Sequence, residues 1–185
     1  LREACRTNAQ WQHQGLPCVP VAVNVSAEQF RRTDFKMAVT DALLDSTLAP
    51  EYLELEITEA VLIHDPDAVS SSIEEIRRLG VHFSIDDFGT GYSSLSYLKD
   101  LSLSKLKIDQ SFIQGVPENC DDAAIVRAIV DMARSLALRV IAEGVETQVQ
   151  ADFLQNIHCD QAQGYLYSRS LPADEFSQLL ANERL

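Results

Sequence analysis

A regular alternation of short apolar runs with helix-like segments limits what this chain can fold into. Val19–Val25, Tyr52–Thr58, Val81–Ile85, Ser104–Ile108, Arg139–Ala142 and Cys159–Gln163 each read as a strand. A helix-like segment, Leu1–Gln12, opens the chain. Ser26 and Gln29 form a capping-box signature for a helix carrying Phe30, Met37, Val39, Leu43 and Leu44. Asp67–Leu79 is a helix stopped by Gly80, and Asp121–Leu136 aligns Ile125, Ile129, Met132 and Leu136 on one stripe. Thr147–Asn156 and Ala173–Ala181 complete the set. Strands that alternate with helices build right-handed βαβ units and a parallel sheet. Such a sheet is either open and doubly wound or closed into a barrel.

The polar residues discriminate between the two. Asn24, Glu56 and Glu59, Asp86 and Asp87, Lys107 and Asp109, Glu143 and Glu146, and Gln163 stand at or just past the C-terminal ends of strands. An open sheet concentrates its site at one switch point, whereas a barrel draws groups from many strand ends onto one face. The pattern predicts a (β/α)8 TIM-like barrel. The 185 residues with about six strands fall short of the roughly 250 residues of a full barrel. The expectation is therefore an incomplete barrel lacking two strands on the N-terminal side, with Glu54 and Glu56 inward and Leu53, Leu55 and Ile57 against the helices.

Asp86 and Asp87 are adjacent, and neighbours on a strand point to opposite faces. They reach a common point only where the strand ends and the backbone turns. Two carboxylates followed by Gly89 and Gly91 suit a hard divalent cation that keeps waters for a phosphate-bearing substrate. Taken alone, the same residues read equally well as a solvated turn. A net charge of −13 argues against long nucleic acid, which needs a basic footprint. A small phosphate ligand remains open if metal ions supply the positive charge. Cys5, Cys18, Cys120 and Cys159 show no paired spacing and are expected to be free thiols. With no apolar run of membrane-spanning length and no signal peptide, a cytoplasmic protein is expected. His13, His64, His82 and His158 share no spacing and are not expected to be ligands. Trp11 is expected to lie in the core or to contact chain outside residues 1–185, and Tyr165 and Tyr167 are expected to pack rather than to stack on bases.

Six motifs occur in one order: Asn24-Val25-Ser26, Glu56-Ile57-Thr58-Glu59, Asp86-Asp87-Phe88-Gly89-Thr90-Gly91-Tyr92-Ser93-Ser94, Lys107-Ile108-Asp109, Ala142-Glu143-Gly144-Val145-Glu146 and Gln163-Gly164-Tyr165-Leu166-Tyr167-Ser168. In this the chain resembles the EAL-domain family, metal-dependent phosphodiesterases that open cyclic di-GMP to linear pGpG, over essentially residues 1–185. The resemblance implies that Asn24, Glu56 and Asp86 hold a first metal, with Asp86 bridging to a second one held also by Asp87. It implies Glu143 as general base and Lys107 as the lysine that orients the attacking water. Glu59 is implied to anchor the loop after Asp87, and Glu146 and Gln163 to line the substrate site. Two Mg²⁺ or Mn²⁺ ions, a homodimer through that loop, and fused or partner sensory and diguanylate-cyclase domains are implied as well. Lys107 among carboxylates stays protonated, which suits a positive clamp rather than a base.

Two departures matter. Ser170 stands where the family has proline, a minor backbone change. The Glu-Ala-Leu that names the family is absent, since Glu3-Ala4-Cys5 and Glu59-Ala60-Val61 lie in the wrong context. Residues 1–185 are thus expected to be the C-terminal three quarters of the domain, weak or inactive alone, within an active parent. Two other readings stand beside this one: a cyclic di-GMP receptor without turnover, and a fragment that mediates oligomerisation or dimerisation.

Overall fold

In Leu53–Thr58 the side chains alternate, and the fold uses both faces. Leu53, Leu55 and Ile57 are fully buried, while Glu54 and Glu56 are buried on the opposite face. The computed structural model describes residues 1–63, 66–91, 98–99 and 101–182. His64 and the Tyr92-Ser93-Ser94 portion of the acidic loop lie outside the described residues.

The elements run α1 (Arg2–His13), β1 (Val21–Val25), α2 (Ala27–Phe30), α3 (Phe35–Ser46), β2 (Leu53–Thr58), α4 (Glu59–Ile63), α5 (Pro66–Arg77) and β3 (His82–Phe88). β4 (Lys105–Ile108), α6 (Gln110–Ile113), α7 (Cys120–Ser135), β5 (Arg139–Ala142), α8 (Gln148–Asn156), β6 (Gln161–Ala162) and α9 (Ala173–Ala181) follow. All pairings are parallel, and the sheet order is β1-β2-β3-β4-β5-β6. An open doubly wound sheet reverses its order at a switch point. Here spatial order follows chain order throughout, the progression of a barrel wall. Among the described residues β1 and β6 do not pair with each other, so the sheet is not closed.

Phe83 and Ile85 of β3 and Leu106 and Ile108 of β4 form one buried cluster with Ile73 and Ile76 of α5 and Val126, Val130 and Ala133 of α7. At Ile57, without exposure in a central strand, replacement by valine removes one methylene. It is expected to cost about 0.5–1.5 kcal/mol in a urea titration with an unchanged m-value.

Two local expectations change. The capping box at Ser26 and Gln29 forms, but the helix it opens stops at Phe30 and restarts at Phe35. Five residues turn a helix face by about 140°, so one continuous helix could not aim both phenylalanines at one patch. The break allows it: Phe30 packs at 5.6 Å from Phe35 and 6.3 Å from Phe83. Arg32 donates two hydrogen bonds to Asp34 across the break. β3, expected to end at Ile85, runs on to Phe88 with a register shift between Ile85 and Phe88. Trp11 is half-buried against Phe176, 5.3 Å between ring centroids, which joins α1 to α9. All four cysteines are free thiols. No helix among the described residues is long and apolar enough to cross a membrane.

Candidate active site

The register shift in β3 resolves the problem of two adjacent carboxylates. Three residues of β3 span two of β4 there, the arrangement of a β-bulge, which re-aims side chains. Asp87 takes a left-handed backbone, φ 54°, a conformation that aspartate tolerates better than most residues. Carboxylate oxygens of Asp86, Asp87 and Glu143 thereby come within 4.8 Å of one another. The turn expected at a strand end is a bulge inside a strand.

At the centre of the site lies Lys107, which is 5% exposed. Its Nζ is 2.9 Å from Glu56 Oε1, 3.0 Å from Asp86 Oδ1 and 2.7 Å from Glu143 Oε1. Strands β2, β3, β4 and the residue after β5 each contribute one of these groups. One ammonium against three carboxylates leaves two negative charges uncompensated. Burial pushes the Lys107 ammonium toward neutrality, but the hydrogen bonds to Glu143 and Glu56 outweigh it and its pKa rises. Glu56 and Glu143 are raised above the ordinary carboxylate value by burial, against the pull of Lys107. Asp87 is raised by burial and by the charges of Asp86 and Asp109.

The remaining expected residues fall around this cluster. Gln163 donates from Nε2 to Glu143 Oε1 at 2.9 Å. Glu59, 5% exposed, accepts from the Gly89 amide at 3.0 Å, and its Oε2 is buried with no partner among the described residues. A Cβ at Gly91 would come 2.5 Å from that oxygen, so the loop passes where only glycine fits without a shift. Glu146 is exposed and lines, with Asp87, Glu143 and Gln163, a cleft of about 1030 Å³. Asn24 pairs in register with Glu56; its exposed side chain is not one of the groups holding Lys107.

Asp109 was not among the residues singled out for a role, although it closes the Lys107-Ile108-Asp109 motif. It lines the cleft, caps α6 through the Ser111 amide and faces Asp87. Burial raises its pKa, but hydrogen bonds from Ser111 prevail and hold it below the usual value. Tyr165 and Tyr167 are each 58% exposed and line the same cleft instead of packing, with the Arg169 guanidinium 4.7 Å above the Tyr165 ring.

An all-oxygen donor set with excess negative charge suits hard divalent cations such as Mg²⁺ or Mn²⁺. Carboxylates must be ionised to act as ligands. A carboxylate with a raised folded pKa stabilises the fold below its unfolded pKa and loses that contribution as pH rises through the folded value. For Glu56 and Glu143 the window lies above the ordinary carboxylate range. Across it, Mn²⁺ affinity is expected to rise with pH while binding releases protons. Titration calorimetry in two buffers of unequal ionisation heat reads this directly, and equal apparent heats would contradict it.

The family model described as EAL domain matches residues 1–170. The bifunctional diguanylate cyclase/cyclic di-GMP phosphodiesterase MucR of Pseudomonas aeruginosa is 47% identical over 182 residues, which are 98% of this chain and 26% of MucR. The chain therefore spans about a quarter of the length of that relative. The solved PaMucR phosphodiesterase in complex with c-di-GMP superposes with TM-score 0.91 at 46% identity, over 95% of this chain and 71% of the other. The manganese/cy-diGMP complex of Klebsiella pneumoniae BlrP1 matches with TM-score 0.81 at 30% identity, over 91% of this chain and 42% of the other.

Proposed function

This chain belongs to the EAL-domain family, and from that premise we propose that its site hydrolyses cyclic di-GMP to linear pGpG with two divalent ions, Mg²⁺ or Mn²⁺. One observation carries the reading: a buried Lys107 held by carboxylates from β2, β3 and the residue after β5, toward the strands' C-terminal ends. That is the face on which barrels of this kind do chemistry.

Asn24, Glu56 and Asp86 would hold the first ion, and Asp87 the second, with Asp86 shared. The observation in favour is that Asp86, Asp87 and Glu143 already converge. Ions bound there would supply charge neutralisation and activation of water for attack on a phosphodiester. The Glu143 carboxylate takes the proton of the attacking water, and Gln163 orients that carboxylate through its 2.9 Å hydrogen bond to Oε1. Lys107 stays protonated, orients the water and offsets the phosphate charge. Glu59 holds the loop after Asp87 by the Gly89 amide. Glu146 and Gln163 line the cleft for the nucleotide.

MucR is both longer and bifunctional, which supports reading residues 1–185 as the larger part of one EAL unit that works beside regulatory or diguanylate-cyclase domains. A cytoplasmic location follows from the second-messenger substrate. Homodimerisation through the loop after Asp87 rests on the family resemblance, and sedimentation velocity reads it. The functional test is conversion of cyclic di-GMP to pGpG with Mg²⁺ or Mn²⁺, followed by chromatography, against a chelator control. Binding by calorimetry without turnover would replace hydrolysis by a receptor role, and absence of both, in this chain and in a longer one that carries the Glu-Ala-Leu segment, would overturn the reading.

A further inference from the structure

Three loops carry this site, and several contacts lock them together. The Glu143 amide donates to Ile108 O at 3.1 Å, and the Val145 amide to Gln163 O at 3.0 Å. Gly144, at φ 72°, lies so close to Gln110 that a Cβ there would be 2.6 Å from the Gln110 Cβ. Backbone contacts of this kind set approximate placement. A side chain that joins two loops can set it more finely, because its hydrogen bonds are directional.

Gln150 is such a side chain. It is 7% exposed, in the first turn of α8. Its Oε1 accepts from the Glu146 amide at 2.8 Å and the Thr147 amide at 3.0 Å, and its Nε2 donates to Ile113 O at 3.0 Å. Two amide donors on one side and a carbonyl on the other dictate which end of the amide faces which. The first pair belongs to the loop that carries Glu143 and Glu146. Ile113 O ends α6, the helix that Asp109 caps. Gln150 touches none of the proposed reacting groups and bridges the two segments that present them.

We propose that Gln150 is a positioning residue, which sets the loop of Glu143 and Glu146 against the segment of Lys107 and Asp109. The assignment rests on the phosphodiesterase reading for its catalytic consequence. A plain capping role is separable from positioning. Thr147→Ala removes the hydroxyl that caps Gln150 N at 3.3 Å and leaves the bridge to Ile113 intact. Gln150→Glu retains an acceptor for the two amides but, as a carboxylate, offers nothing to Ile113 O. Gln150→Ala loses all three bonds.

The test measures kcat and KM for cyclic di-GMP, Mn²⁺ affinity by calorimetry and Tm for all three variants, normalised to folded protein by circular dichroism. Thr147→Ala is expected to lower Tm and leave kcat unchanged. Both Gln150 variants are expected to lose about 10-fold or more in kcat, the scale of outer-shell partners of metal ligands, with KM little changed and Mn²⁺ bound more weakly. Gln150 variants that match Thr147→Ala in both kcat and Mn²⁺ affinity would overturn the proposal. Should Gln150→Ala not fold, Gln150→Glu decides. A parent protein without turnover would sink the functional reading alone, and Mn²⁺ affinity would still decide the role of Gln150.

Discussion

Replacing Asp86 by alanine is expected to abolish turnover of cyclic di-GMP, with a loss of at least about 100-fold, since outer-shell changes at metal sites already reach that scale. Asp86 is 8% exposed, within 3.0 Å of Lys107 Nζ, and part of the only trio of acidic groups close enough to share an ion among the described residues. Its removal takes away the ligand proposed to serve both ions. The fold should survive, since Lys107 keeps Glu56 and Glu143 as partners. Near-parent circular dichroism with no pGpG formed is the expected pair of results. A variant that retains a tenth or more of the parental rate at equal metal would contradict this role for Asp86.

Lys107→Met carries the largest expected effect on stability. The methionine fills much of the lysine's volume but leaves Glu56, Asp86 and Glu143 facing one another without a cation. Removing one partner from a buried ion pair typically costs about 3–5 kcal/mol. The sign of the pH dependence follows from the shifts in the parent. Burial already raises Glu56 and Glu143, and loss of the lysine removes the attraction that opposed it. Protonation relieves the repulsion, so the variant's deficit in Tm should be greatest at neutral and alkaline pH and shrink as pH falls through the raised carboxylate values. In the parent, Lys107 has a raised pKa, so its contribution persists through neutral pH and fades only as pH rises through that folded value. Mn²⁺ should raise Tm more in the variant than in the parent, because the ion then supplies the only positive charge in the cluster. Thermal scans at several pH values with and without Mn²⁺ test this. A Tm deficit independent of pH would mean that packing and not charge dominates.

Some of these conclusions were legible in the sequence because they depend on local backbone geometry. Alternation along Leu53–Thr58 assigns leucine and isoleucine to one face and glutamate to the other whatever the strand pairs with, since the period of two belongs to the strand itself. The parallel sheet follows in the same way from strand–helix alternation, and Ser26 with Gln29 caps a helix within four residues of chain. The extent of that helix was less legible. Its break depends on Phe30 meeting both Phe35 and Phe83, the latter some fifty positions away.

The chain by itself thus determined the strand faces, the parallel architecture and the set of carboxylates at the strand ends. Only the tertiary structure decided which of their oxygens meet. Lys107 finds Glu56, Asp86 and Glu143 because of register between strands, and a single-residue bulge makes Asp87 a neighbour of Asp86 in space as well as in sequence. Exposure of Tyr165 and Tyr167, the place of Asp109 and the bridge made by Gln150 were decided at the same level. Side-chain direction is a property of a few consecutive residues, whereas convergence depends on contacts between residues distant in the chain, which no local pattern encodes.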